Sequence, residues 1–139
     1  SLYAFADETS EGVSMGRRGD KPVSREFRIE TVRIDEAVPP PVRLIKLDVE
    51  REELAALRGC AKLLVPPFPH LVIELKAVTA RAFGYDAMEV VDLALSHHAY
   101  RLHLIKSRKR RRTTRDTIAA LLRDEPHKTH NVWFEPLPV

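Results

Sequence analysis

Apolar and polar positions change period several times along the chain, and each change marks an element. From Arg25 to Glu36, "REFRIETVRIDE", the residues Phe27, Ile29, Val32 and Ile34 fall in near alternation with polar ones. A period of two sets one face of a strand against a core, so a half-buried strand is expected there. "VPPP" (Val38–Pro41) ends it with prolines, which fix φ and donate no amide hydrogen, and makes a stiff connector. "VRLIKLDV" (Val42–Val49) is then a short, mostly apolar run of strand length. Leu54, Leu57, Ala61 and Leu64 recur at helical spacing and predict a helix over about Glu50–Leu64, stopped by "VPPFP".

The same alternation of element types continues. "HLVIEL" (His70–Leu75) is a second continuous apolar run. "YDAMEVVDLALSHH" predicts a second helix: Asp86 caps it, Glu89 stands three residues on as in a capping box, and Val90, Val91, Ala94 and Leu95 make the apolar face. "YRLHLI" (Tyr100–Ile105) is a third strand. A basic loop region spans 106–130 and holds a short helical pattern, "DTIAALLRD", before a last apolar segment, "NVWFEP". Apolar strands alternating with helices predict an α/β fold with a mostly parallel sheet covered on both faces. Residues 1–26 are polar and rich in turn formers (Gly12, Gly16, Gly19, Pro22) and read as a loop with one short strand around Leu2–Phe5.

Composition narrows the class. With 139 residues, 44% of them apolar and 31% charged, the chain is expected to form one globular domain over 1–139. The net charge of +3 is unevenly placed, because "KSRKRRRTTR" (Lys106–Arg115) holds seven basic residues in ten. No apolar run approaches the roughly 18 residues of a spanning helix, so no membrane partner is expected. The single cysteine, Cys60, cannot form an internal disulfide, and no signal peptide is visible at Ser1; a reducing, cytoplasmic compartment fits both.

Candidate chemistry sits where the first apolar strand ends. "LIKLDVEREELAALRG" crowds Asp48, Glu50, Glu52 and Glu53 into six residues. In open parallel sheets, ligands bind beyond the carboxyl ends of the strands, so Asp48 and Glu50 are candidates to line a ligand crevice. Glu52 and Glu53 read as first-turn acids facing the positive end of a helix dipole.

These stretches carry a resemblance. "LIKLDVEREELAALRGCAKLL", "PHLVIEL", "FGYDAMEVVDLALSHHAYRLHLI" and "NVWFEP" together resemble the C-terminal half of the FkbM family of S-adenosylmethionine-dependent methyltransferases. That family typically reads Ile-Lys-Ile-Asp-Val-Glu-Gly-Ala-Glu at this strand end, and Lys46, Asp48, Val49, Glu50, Glu53, Leu57, Gly59 and Glu74 match it position by position. The resemblance spans about Glu30 to Pro136. It implies part of a Rossmann-like class I methyltransferase fold, with Val42–Val49 as the fourth strand and His70–Leu75 as the fifth. Tyr100–Ile105 and Asn131–Glu135 would be the closing antiparallel pair. The implied activity is O-methylation of a hydroxyl on a sugar or secondary metabolite, with S-adenosylmethionine as cofactor in the complete protein. Such a transfer needs the two reacting atoms aligned and the hydroxyl proton removed. Asp48 and Glu50 are then the catalytic candidates, and Lys46, Arg51 and Glu74 the substrate-binding ones. Asp35, which matches a common family Asp, is read as structural at the end of its strand.

Two departures stand out. Arg51 and Glu52 replace the family's Gly-Ala, and Gly there permits a tight turn or a close approach. The glycine-rich cofactor loop of the family's first half has no counterpart among the five glycines, so no cofactor-binding residue is assigned and a fragment inactive alone is expected. The alternative is a non-catalytic α/β module that binds a polyanion or a partner protein through 106–115. No aromatic residue interleaves that run, so it reads as a solvated loop and nucleic acid is not the expected partner. His97 and His98 suit a helix C-terminus, and "HKTH" (His127–His130) lacks a cysteine pair, so no metal site is assigned. The Val42–Val49 strand would leave an open apolar edge and favour a homo-oligomer.

Overall fold

The computed structural model describes residues 2–5, 13–14, 23–49 and 51–138, with side chains from Glu26 onward. Glu50 lies outside the described residues, as does much of the expected N-terminal loop. Three strands of that segment, β1 (Leu2–Phe5), β2 (Val13–Ser14) and β3 (Val23–Phe27), pair antiparallel in the order β2-β1-β3. β1 coincides with the expected strand.

The rest follows as α1 (Ile34–Ala37), β4 (Leu44–Leu47), α2 (Glu53–Arg58), a 3-10 turn at Ala61–Leu63, β5 (His70–Leu75), α3 (Ala77–Ala82), α4 (Ala87–His97), β6 (Tyr100–Lys106), β7 (Lys109–Thr113), α5 (Arg115–Asp124) and β8 (His130–Pro136). β4 to β8 make one five-stranded sheet in the order β4-β5-β8-β6-β7. The architecture is α/β with a mixed sheet. Only β4 and β5 pair in parallel; β5–β8, β8–β6 and β6–β7 are all antiparallel. The expectation of a mostly parallel sheet is therefore corrected. β8 returns between β5 and β6, and the β6–β7 hairpin adds a further antiparallel edge. β4, β5 and β6 nevertheless run in one direction, since β6 is antiparallel to a strand that is antiparallel to β5.

Strand alternation sorts side chains onto two faces. Ile45, Leu47, Leu71, Ile73, Leu75, Leu102, Val132 and Phe134 are buried on one face, together with Leu54 and Leu57 of α2, Val90, Val91 and Ala94 of α4, and Ile118 and Leu122 of α5. Burying each such Leu or Ile contributes about 1.5–3 kcal/mol, so this single helix-covered face dominates stability. The other face carries Lys46, Val72, Trp133 and Arg112, all half-buried or exposed.

Local signals explain the elements that match expectation. Asp86 Oδ1 accepts the Met88 amide at 2.8 Å and Glu89 Oε1 accepts the Asp86 amide at 2.9 Å, closing the capping box of α4. Thr114 Oγ1 accepts the Thr117 amide at 3.2 Å at the start of α5.

Three further expectations are corrected. The strand over Arg25–Glu36 ends at Phe27, and Ile34–Ala37 is a helical turn. Asp35 is therefore on a helix: it accepts two hydrogen bonds from Arg33, at 3.0 and 2.9 Å, and the Lys62 amide at 3.0 Å. Phe27, Ile29 and Val32 remain exposed, so the alternation had no core to face. The long helix over Glu50–Leu64 is split into α2 and the 3-10 turn. The Gly59 carbonyl turns aside to accept the Asp35 amide at 2.9 Å, and a Cβ on Gly59 would come within 3.2 Å of the Ala56 carbonyl oxygen. Finally, the basic stretch is ordered as β7 and the beginning of α5 rather than as a loop.

Candidate functional site

Because β4, β5 and β6 run the same way, their carboxyl ends share one margin of the sheet. β4 ends at Leu47 and delivers Asp48 there. Residues two apart on an extended chain share a face, and Lys46 Nζ reaches Asp48 Oδ2 at 2.6 Å. The hydrogen bond and the charge of Asp48 hold the Lys46 ammonium above the usual lysine range, and Glu74 adds to this from β5. The register that pairs Lys46 with Val72 and Leu47 with Ile73 brings Glu74, half-buried, to the same margin and the same face. Lys46, Asp48 and Glu74 thus form one group. Among the described residues the hydrogen bond to the Asp48 carboxylate is that of Lys46, at Oδ2.

Arg51 does not join them. Its backbone takes φ 91°, in the region that favours glycine, and its guanidinium carbon lies 5.4 Å from the centre of the Phe83 ring. It lines a cavity of about 270 Å³ on the helical side, together with Leu54, Arg58, Phe83, Tyr85 and Glu89. The turn from β4 into α2 is held by Glu53, a residue taken from the sequence as an ordinary first-turn acid. Glu53 is buried, and its Oε1 accepts the amides of Val49 and Arg51, both at 3.3 Å. Tyr85 Oη lies 3.0 Å from Glu53 Oε2 and 3.2 Å from the Arg51 carbonyl oxygen. Burial, with the Glu53 carboxylate second, pushes the Tyr85 phenol well above the usual tyrosine range.

Tyr85 and Phe83 carry no local sequence signal beyond their place before α4. Glu53 had one, since it matches the last Glu of the Asp-Val-Glu-Gly-Ala-Glu string, and the dipole explanation masked it. At the far end of the sheet, His103 Nε2 and Arg101 Nη1 converge on Glu135 Oε2 at 2.9 and 3.2 Å, and His103, then Arg101, hold the Glu135 carboxyl below its usual range. His98 stacks on Phe68 at 3.9 Å and bonds the Leu137 carbonyl, a structural use at the end of α4. Among the described residues no group of three or more His, Cys, Asp or Glu side chains could hold a metal ion. No described helix is long and apolar enough to cross a membrane.

Comparison with protein-family models, with curated proteins and with solved structures gave no match to this chain.

Proposed function

We propose that the chain is the acceptor-side part of an S-adenosylmethionine-dependent O-methyltransferase acting on a hydroxyl of a sugar or secondary metabolite. The observation that supports this reading is the strand order β4-β5-β8-β6, with β8 alone running against its neighbours and Asp48 at the carboxyl end of β4. A fourth and fifth strand followed by an antiparallel closing pair is what the FkbM resemblance implies. Arg51 adds to it, because its positive φ falls where that family has glycine.

S-adenosylmethionine itself does not fit the described residues. The cavity of about 270 Å³ has Arg51, Arg58, Glu52 and Glu89 in its wall, whereas pockets for such ligands are mostly apolar and span roughly 300–1,000 Å³. No described glycine loop follows a strand to take up a cofactor. The part these residues play is therefore confined to the acceptor. Asp48 Oδ1 receives the hydroxyl hydrogen and orients its oxygen, Lys46 holds the other carboxylate oxygen in place, and Glu74 fixes a second hydroxyl of the same acceptor.

The test is calorimetric titration of S-adenosylmethionine into the natural polypeptide that carries these residues, followed by a radiolabel-transfer assay on sugar and polyketide hydroxyls. Saturable binding is expected, with transfer that falls roughly 100-fold in Asp48→Asn while circular dichroism is unchanged. A folded polypeptide that binds neither the cofactor nor its demethylated product overturns the proposal.

A further inference from the structure

The basic stretch is built as a hairpin. β6 and β7 pair from Leu102↔Thr113 to Lys106↔Lys109, and the two turn residues, Ser107 and Arg108, hold φ of 47° and 66°, as a two-residue type I′ turn requires. β7 is the sheet edge, and Lys106 and Arg108 to Arg112 are all exposed. None of these six cations takes part in a salt bridge among the described residues. Some cations elsewhere on the domain are paired, Arg115 with Asp92, Arg101 with Glu135 and Lys128 with Glu125. Lys106 even stands directly opposite Lys109, a cross-strand pairing of like charges that disfavours the hairpin unless an anion lies over it. Six exposed cations on one hairpin also exceed the +3 net charge of the whole chain, so the positive potential is concentrated on this edge.

Register supplies what the sequence of the run lacks. Arg110 and Arg112 alternate onto the outer face of the sheet, where Arg112 stands opposite His103 and His103 opposite Trp133. The Arg110 guanidinium carbon lies 5.0 Å from the centre of the Trp133 ring, and Trp133 stacks with His103 at 4.7 Å and 26°. The indole N–H of Trp133 donates to His70 Nδ1 at 3.1 Å, which fixes the orientation of the indole. A basic strand is thus flanked by a chain of contacts, His70, Trp133, His103 and Arg110, that crosses four strands. Phosphates pair with arginine without regard to sequence, while bases stack on aromatic rings and on guanidinium planes.

The geometry points to a binding surface for single-stranded nucleic acid on the outer face of the β6–β7 hairpin. Arg110 and Arg112 grip the phosphates and the half-buried Trp133, backed by the buried His103 ring, takes an unpaired base, with Arg110 sliding off the indole or stacking on the base itself. A duplex keeps its bases inside the stack and offers nothing to this row. The surface shares the sheet face of Lys46, with Trp133 two strands from it along the register Lys46–Val72–Trp133, and its existence does not depend on methyl transfer.

Trp133 is the one tryptophan of the chain, so it reports on its own surface. The experiment titrates the protein with a mixed-sequence 12-nucleotide RNA, the matching duplex and heparin, following Trp fluorescence and anisotropy of a labelled strand. The single strand is expected to bind with Trp quenching and a log–log salt slope near −3 for about four phosphates. Exchanging Arg110→Gln with Arg112→Gln should weaken binding roughly 10-fold. Exchanging Lys109→Gln with Arg111→Gln, on the opposite face, should weaken it less and leave the quenching intact. Tighter binding of the duplex, equal binding of heparin without a Trp response, equal losses for the two charge pairs, or no binding at low salt would each overturn the proposal.

Discussion

Tyr85 Oη lies 3.0 Å from Glu53 Oε2, joining the loop before α4 to the first turn of α2 across thirty-two residues. The other Glu53 oxygen holds the amides of Val49 and Arg51, so one buried carboxylate fixes the turn that carries Asp48 to the margin of the sheet. Removing the phenol hydroxyl leaves Glu53 Oε2 buried with one donor fewer. Tyr85→Phe is expected to cost about 1–3 kcal/mol, and Glu53→Ala at least as much, since two amides lose their acceptor. In a double-mutant cycle followed by urea unfolding, the pair should couple by about 0.5–3 kcal/mol. Simple additivity would mean that the two residues stabilise the fold independently.

Arg51 holds φ 91° without being glycine. Arg51→Gly and Arg51→Ala both discard the guanidinium and its place over Phe83, but only glycine relieves the backbone. The glycine variant should therefore be more stable than the alanine variant by about 1 kcal/mol, against the usual order in which glycine is the worse residue. Urea midpoints of the two variants, compared with each other, check this.

Stability should fall at both ends of the pH scale for separate reasons. Arg33, then the Lys62 amide, lower the Asp35 carboxyl from 3.8. A lowered carboxyl contributes stability that is present above its unfolded value and lost as pH falls through its folded value. The urea midpoint should drop below about pH 4, less steeply in Asp35→Asn, which also starts from a lower midpoint. On the alkaline side, burial raises the Cys60 thiol from 9.0 to about 11 and the Tyr100 phenol from 10.0 to about 12. Raised values contribute stability that is complete below the unfolded value and lost as pH rises through the folded one. Cys60→Ala should remove the part of the loss that begins near pH 9 and leave the part that begins near pH 10. Native Cys60, fully buried, should also resist a thiol reagent at pH 8 until the chain unfolds.

β4 is an edge strand with Leu44 59% exposed. A strand edge with an apolar side chain and unpaired backbone groups invites pairing with another chain. Sedimentation velocity over a concentration series should show association, and Leu44→Lys should reduce it. A clean monomer at the highest concentration would count against an edge that needs covering.

Much of the α/β organisation was legible along the chain. His70–Leu75 is a strand to the residue because a central strand with a buried face requires an apolar run of that length. α4 was legible because its cap, its capping-box Glu and its apolar stripe all lie within a few residues of one another. The contact of Lys46 with Asp48 is local too, since the two lie two residues apart at the end of one strand. Over Arg25–Glu36 the same reasoning failed past Phe27: the alternation there is as regular, yet Ile29 and Val32 stay exposed. Glu53 was misjudged for a related reason. An acid in a first helical turn has a sufficient local explanation, and its burial under Tyr85 is not local.

The order of apolar runs, the caps and the charge run were set by the sequence alone, because each depends on residues a few positions apart. The tertiary structure alone decided that β8 returns between β5 and β6, that Tyr85 closes on Glu53, and that Trp133 lies beneath Arg110. These are pairings across tens of residues, and what selects them is the burial of one continuous face and the hydrogen-bond register of the sheet, neither of which has a short-range signature in the chain.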